Sequence, residues 1–162
     1  MLVLAVALLA AGCSSSTPLT RGKVVPWTVK ITKVTPASVE VDLIGINKPE
    51  HDYWATVNLD EYWLPGSPVR QAAFDRKRAV TTKFDTSKTF TLDAKDPIWK
   101  TWAGYGSYEV VLLANLPGMH HSAADARRLF VLLGKGEWQA KDRTLEFEIL
   151  ENQIRPLTPP KP

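Results

Sequence analysis

The sequence predicts a mainly β protein built as a single antiparallel β-sandwich with one short helix. Short segments alternate apolar and polar residues, which is the period of a strand with one buried face. Turn residues separate these segments at short intervals. No stretch carries a long apolar pattern at the helical spacing of 3.6 residues, and no unit of sequence recurs.

The first 92 residues contain five predicted strands. Residues 27–32 place Trp27, Val29 and Ile31 on one face, and residues 39–43 alternate in the same way. Residues 53–59 are rich in aromatic and β-branched residues and are therefore predicted as the third strand. The remaining two are residues 80–84 and 89–92, around the turn at residues 85–88.

The second half contains the helix and three further strands. Asp96 is a typical N-cap, and Pro97 suits the first helical position, so residues 96–102 are predicted as the helix. Residues 71–78 are a weaker helical candidate with little apolar face. Residues 108–116 are apolar on both faces, as in a central strand, and two more strands follow at residues 129–133 and 144–149.

These segments fit a sandwich of immunoglobulin or transthyretin type. The chain has one cysteine, so it lacks the Cys-Trp-Cys pattern of true immunoglobulin domains. The residues expected to face the interior are Val29, Ile31, Val41, Leu43, Val111, Leu113, Val131, Leu145 and Phe147.

An apolar, uncharged run precedes Cys13, the only cysteine in the chain. Residues 1–12 are too short for a transmembrane helix, which needs about 20 residues, but they have the length of the apolar part of a signal peptide. Ala10-Ala11-Gly12-Cys13 resembles the lipobox of bacterial lipoproteins. That resemblance implies cleavage before Cys13 and attachment of a diacylglyceryl group and palmitate-type acyl chains to it. The alternative is a buried apolar helix with an ordinary thiol.

The rest of the chain divides around the predicted sandwich. Residues 13–25 are predicted to be a flexible tether, residues 26–156 the β-sandwich domain, and residues 157–162 a frayed, proline-rich tail. If Cys13 is acylated, no thiol is left for a disulfide. The net charge of +3 argues little for nucleic acid outside the cytoplasm. The expected location is the bacterial outer membrane, with the domain in the periplasm.

Six tryptophans are a high number for this length. One hypothesis is that exposed rings, with Trp63 and Trp99 as the candidates, form a platform for glycan or peptidoglycan. The alternative is that the rings fill the core. The latter is favoured for Trp99 and Trp102, because their i, i+3 spacing places both on the helix face that packs on the sheet.

A second candidate surface is basic. Arg76, Lys77 and Arg78 belong to a run that would suit an anionic partner surface, although such runs are more often solvated loops. Further along, one of the pair Arg127-Arg128 is expected beside an acidic turn such as Asp60-Glu61.

No catalytic or metal site is predicted, and neither is a cofactor. The histidines are His51, His120 and His121, and the last two would join Asp125 in a zinc site only if their loop folded back. The carboxylates of Asp60-Glu61 and of Asp93 and Asp96 are a weak candidate for a glycosidase-like pair. There is no Gly-x-Ser-x-Gly motif, so a non-enzymatic role is expected.

In size, lipobox, spacer and strand count the chain resembles the type VI secretion lipoprotein. That resemblance implies an acylated β-sandwich that docks onto an inner-membrane protein partner. No specific binding loop is carried over from it. The leading hypothesis is therefore a membrane-anchored scaffold module of the cell envelope, and the alternative is a glycan- or peptidoglycan-binding module.

Overall fold

Two four-stranded β-sheets face each other and form the body of the molecule. The computed structural model describes residues 24–117 and 125–162. Within these ranges the strands are β1 (Thr28–Lys33), β2 (Val39–Ile46), β3 (Ala79–Phe84), β4 (Thr89–Leu92), β5 (Glu109–Ala114), β6 (Arg128–Leu132), β7 (Thr144–Ile149) and β8 (Ile154–Pro156). The helices are α1 (His51–Thr56), α2 (Leu59–Tyr62), α3 (Pro68–Asp75) and α4 (Ile98–Tyr105), and a 3₁₀ turn (Lys48–Glu50) precedes α1.

The first sheet has the strand order β4-β1-β7-β8 and the second has the order β3-β2-β5-β6. Neighbouring strands are antiparallel, with one exception. Strands β1 and β7 run parallel, with Thr28 opposite Thr144 and Lys33 opposite Ile149. The predicted mainly β sandwich is confirmed, and its pairing is antiparallel everywhere in the described residues except at β1–β7.

The space between the sheets is filled by the inward faces of the strands. Seven of the residues predicted to point inward are buried in this inter-sheet core, namely Val29, Ile31, Val41, Leu43, Val131, Leu145 and Phe147. Helix α4 adds Trp99 and Trp102 to the same core. A Cβ atom at Gly45 in β2 would overlap the Trp102 ring, so only glycine lets this ring pack against the strand.

Helices α1, α2 and α3 pack against the outer face of the second sheet and form a helical layer. There Trp54, Leu59 and Tyr62 cover Ile44 and Ile46 of β2. Val111 and Leu113 are buried as predicted, but in this layer and not between the sheets. Strand β5 is apolar on both faces, so its pattern cannot tell which set of alternate residues faces the other sheet.

The strand predicted at residues 53–59 and the predicted single helix are both wrong. Residues 53–59 are not a strand: they contribute to α1 and α2, so the described residues hold four α-helices and not one short helix. The predicted helical candidate at residues 71–78 overlaps α3. Helix α1 has a single buried ring, Trp54, and Asn58 caps α2 by accepting hydrogen bonds from the backbone N–H groups of Asp60 and Glu61. Helix α1 has only six residues and one buried side chain, so its sequence shows no apolar pattern at helical spacing.

The chain ends are also better attached than the sequence predicts. Val24 bridges Gly134, so pairing begins two residues before the predicted boundary at Pro26. The tail is docked and not frayed, because the N–H of Gln139 donates to Pro159 O at 2.9 Å and that of Lys161 donates to Glu137 O at 2.8 Å. The predicted signal peptide and most of the predicted tether, including Cys13, lie outside the described residues.

Strand register gives the sandwich two distinct ends. At the entry end, where Val24 meets Gly134, Ile46 pairs with Glu109 and Glu109 pairs with Leu132. At the far end Val41 pairs with Ala114, and the N–H of Asn115 donates to Glu40 O. The loops of the sandwich therefore divide into an entry-end set and a far-end set.

Candidate functional site

The loop between α2 and α3 forms a ridge at the far end, defined here as residues 63–67. Leu64 is its most prominent side chain and is 60% exposed. Pro65 and Gly66 turn the chain, and Gly66 has φ 76°, a left-handed conformation that favours glycine. The Ser67 hydroxyl then accepts a hydrogen bond from the Arg70 N–H and caps α3. Local sequence thus fixes an exposed leucine between two helices.

Grooves lie on both sides of the ridge, and both are lined by Trp63 and Leu64. The larger has a volume of about 580 Å³ and is lined on its other side by Glu40, Arg70, Gln71 and Phe74. The smaller has a volume of about 330 Å³ and is lined by Leu59, Asp60, Asn115, Leu116, Pro117 and Arg127. Both grooves combine apolar walls with a few charged groups, as binding surfaces commonly do.

Trp63 is the half-buried base of the ridge. Its ring packs edge-on against Tyr62 with centroids 5.1 Å apart, and the Arg70 guanidinium lies 4.6 Å from its centroid. One face of the indole is therefore already covered by a cation. The buried Nε1 of Trp63 has no hydrogen-bond partner among the described residues.

A buried ion-pair network anchors the ridge to the second sheet. Arg70 Nε lies 2.8 Å from Asp42 Oδ2, and its Nη2 lies 2.5 Å from Glu40 Oε1. The Asp42 carboxylate is fully buried, and it also accepts hydrogen bonds from the hydroxyls of Tyr62, at 2.7 Å, and Thr81. Because Arg70, Tyr62 and Thr81 all donate to Asp42, and Arg70 also binds Glu40, the start of α3 is held rigidly on β2.

These contacts also fix the charges in the network. Burial opposes the charged form of Arg70, but the hydrogen bonds to Asp42 and Glu40 outweigh it and raise the pKa of the guanidinium. The pKa of Tyr62 is also raised, first by burial and then by the Asp42 charge. The guanidinium of Arg70 is therefore held in its charged form and the phenol of Tyr62 in its neutral form.

A second buried cation connects α2 to the beginning of β6. Arg127 Nη1 lies 2.7 Å from Asp60 Oδ1, and its Nη2 lies 2.7 Å from Asp125 Oδ2. The predicted contact between this arginine pair and the Asp60-Glu61 turn is thus confirmed. The hydrogen bond to Asp125 raises the pKa of Arg127. Burial acts in the opposite direction but is outweighed, so the pKa stays above its ordinary value. Burial would raise the pKa of Asp125, but the Arg127 hydrogen bonds prevail and lower it.

The other predicted site residues do not gather here. Trp99 is only 5% exposed and packs edge-on against Trp102, so it presents no ring face for a ligand. Arg78 is 3% exposed and pairs with Glu50 at 2.8 Å, beneath the Tyr105 ring. Arg76 and Lys77 are exposed but lie at the entry end. The basic run is therefore split between a structural arginine and two solvated side chains.

The residues considered for metal binding or catalysis have other partners. His51 Nδ1 lies 2.8 Å from Glu109 Oε2, and no group of three metal-ligating side chains occurs in the described residues. His120 and His121 lie outside those residues. Asp93 and Asp96 accept backbone hydrogen bonds from Lys95 and Ile98, as expected of carboxylates in turns and helix caps.

Sequence reasoning missed most of the ridge. Residues 65–68 contain two prolines and a glycine, which are typical of a loop, but nothing in the pattern indicates that Leu64 is exposed. Arg70 has no partner nearby in the sequence, because Glu40 and Asp42 are about thirty residues away. Only the tertiary fold brings these groups together.

Comparison with known proteins identifies the fold. No protein-family model and no curated protein matches the sequence. A chain in the solved structure of the C-terminal domain (869–1107) of the type VI secretion protein TssM from EAEC matches with a TM-score of 0.53 and 10% identity, over 81% of this chain and 99% of that one. The chain thus shares the fold of a type VI secretion structure.

Two further solved structures match with lower TM-scores. TssJ1 of Pseudomonas aeruginosa matches with a TM-score of 0.46 and 12% identity, over 86% of this chain and 100% of that chain. Lip of Serratia marcescens, a membrane-bound type VI component, matches with a TM-score of 0.49 and 7% identity, over 82% and 97%. In the described part of the present chain, no helix has the length and apolar character needed to cross a membrane.

Proposed function

We propose that this chain is a non-enzymatic envelope lipoprotein whose sandwich binds a protein partner within a type VI-like secretion assembly. The observation that carries the proposal is the ridge: an exposed Leu64 between two grooves, held by buried ion pairs. The ridge offers a partner an apolar side chain beside two concave surfaces, and the ion pairs beneath it keep that side chain in place. The fold shared with a type VI secretion structure supports this context.

The proposed attachment to the membrane is through acylated Cys13. More than one acyl chain gives durable anchoring, since each buried CH₂ contributes about 0.8 kcal/mol. Metabolic labelling with a fatty-acid probe is expected to mark the wild-type chain and not the Cys13→Ser variant. Equal labelling of both, or recovery of the wild type in the aqueous phase of a detergent partition, would overturn the anchor. The proposed location is the outer membrane, with the domain in the periplasm.

We take the TssM-type C-terminal domain of the same organism as the proposed partner; the support for this choice is the fold shared with a type VI secretion structure. The test is photocrosslinking from position 64, with position 157 as the control. Leu157 is also exposed, at 46%, but lies at the entry end of the sandwich. A crosslink to this partner from position 64 and none from position 157 supports the proposal. Equal crosslinking, or none from either position, contradicts it.

The glycan-binding alternative now depends on Trp63. The larger groove contains Trp63 and Phe74 together with polar Glu40 and Gln71, a composition that suits a sugar. However, Arg70 covers one face of the Trp63 ring, so a sugar would have to stack on the other. Titration with muropeptide is therefore expected to leave tryptophan fluorescence unchanged. Saturable quenching that disappears in Trp63→Ala, with the fold intact, would favour the glycan-binding module.

A further inference from the structure

Charge is distributed unevenly between the two ends of the sandwich. The entry-end segments are residues 47–50, 76–78, 93–108, 133–143 and 157–162, and they contain ten Lys and Arg against five Asp and Glu. The described far-end segments contain two Lys and Arg against five Asp and Glu. They are residues 34–38, 57–67, 85–88, 115–117, 125–127 and 150–153. The entry end is therefore basic and the far end acidic.

The basic side chains at the entry end are available to a ligand. Helix α4 turns Trp99 and Trp102 toward the core and leaves Lys100 exposed on its opposite side. Lys135 is exposed in the turn directly after the Val24–Gly134 bridge. Arg76 and Lys77 are exposed next to buried Arg78, whose carbonyl accepts a hydrogen bond from Trp102 Nε1 at 2.7 Å. That bond places α4 and the basic run side by side.

The chain also enters the fold at this end. Ten residues lie between Cys13 and Val24, so even full extension of the eleven Cα–Cα steps limits this distance to about 40 Å. If Cys13 is in the bilayer, the entry end is the part of the sandwich nearest to it. The tether alone permits several orientations of the domain. The charge asymmetry selects the one in which the basic end faces the membrane.

We propose that the entry end is a second binding surface, which contacts anionic phospholipid headgroups. This inference rests on the proposed anchoring and adds a specific orientation to it. Each Lys or Arg near an anionic bilayer strengthens binding about fivefold, and the attraction acts within about a Debye length. Contact at the entry end directs the acidic far end, with Leu64 and its grooves, away from the membrane and toward a partner.

The test is vesicle binding of the mature chain, residues 13–162, carrying Cys13→Ser so that no acyl chain contributes. Phosphatidylcholine vesicles are compared with vesicles that also contain phosphatidylglycerol. The wild-type surface is expected to prefer the anionic vesicles and to lose that preference at high salt. The double variant Lys100→Gln/Lys135→Gln is expected to bind at least tenfold more weakly.

The matched control is Lys83→Gln/Lys88→Gln, which removes the same charge near the far end and is expected to change binding less than twofold. The Lys83 side chain is 65% exposed, and its Nζ lies 4.0 Å from Glu40 Oε2, so this ion pair is a loose surface contact. Circular dichroism establishes that each variant is folded. Equal losses in the two double variants, or no preference for anionic vesicles, would overturn the inference. The assay contains no acyl chain and no protein partner, so its failure is distinct from failure of the labelling or crosslinking tests.

Discussion

The inter-sheet core and the helical layer are both buried, but they are held together differently. The core is almost wholly apolar, with Ile31, Leu43 and Leu145 fully excluded from solvent. The helical layer combines apolar contacts with buried charge: Asp42 binds Arg70, and Arg128 donates to the backbone carbonyls of Ala55 and Val57. The hydrophobic effect does not depend on the direction of a contact, whereas a buried charge is stable only when its partner lies at the correct position. The two regions should therefore respond differently to substitution.

The largest expected effect is in the inter-sheet core. Phe147 is 1% exposed and packs edge-on against Trp138. Phe147→Ala removes a large buried ring and leaves a cavity, so the free energy of unfolding is expected to fall by about 3–5 kcal/mol. Chemical denaturation measures this, with Phe147→Leu as a milder control. A loss below about 1 kcal/mol would mean that this site is not core.

The next largest effect tests the ion pair of the helical layer. Arg70→Met leaves the Asp42 carboxylate buried without its cation, which is expected to cost about 3 kcal/mol. The matched control is Lys30→Met. Lys30 pairs with Glu146 at 3.4 Å, but both side chains are about half exposed, so the expected loss is below about 1 kcal/mol. Equal losses for the two variants would remove the distinction between buried and surface pairs.

A smaller effect is expected at β2, where the two buried regions meet back to back. Gly45→Ala places a methyl group on the Trp102 ring, and the forced shift is expected to cost about 1–3 kcal/mol. Gly104→Ala is the control, because a Cβ there meets no atom within 4 Å and the residue lies within α4. Helix propensity predicts that it stabilises by about 0.5–1 kcal/mol. Thermal unfolding of both variants measures the difference, and a neutral Gly45→Ala would contradict the packing.

The smallest effect concerns acid pH. The pKa of Asp125 is lowered in the folded chain, so its ionised form stabilises the fold at pH values above its ordinary pKa of 3.8. That contribution is lost as the pH falls below this value toward the lowered folded pKa. Asp125→Asn is therefore expected to be less stable than the wild type near neutral pH, with a gap that narrows in acid. A gap that widens on acidification would show that the sign is wrong.

The difference between the regions also explains how far the sequence could be interpreted. Alternation at Trp27, Val29 and Ile31 predicted a strand with the correct face, because the period of two comes from backbone geometry alone. The last predicted strand, residues 144–149, has the observed bounds of β7 for the same reason. Its parallel pairing with β1 was not predictable, since partners more than 100 residues apart share no local pattern.

The helical layer was largely missed. Tyr53, Trp54 and Val57 favour strands in isolation, and the packing of Trp54 on the sheet overrides that preference. The expectation of an arginine beside the Asp60-Glu61 turn was correct, and it came from charge complementarity and not from periodicity. The ridge inherits the same limit, because the exposure of Leu64 depends on where α2 and α3 settle.

The central claim is that Leu64 anchors a protein partner. Its most direct test is the affinity of the TssM-type C-terminal domain for Leu64→Asp, compared with the wild type and with Leu157→Asp. A carboxylate on the ridge cannot enter an apolar pocket of the partner without losing its hydration. Leu64→Asp is expected to weaken binding at least tenfold, whereas Leu157→Asp is expected to bind like the wild type, and both variants are expected to remain folded. Wild-type affinity in Leu64→Asp would contradict it.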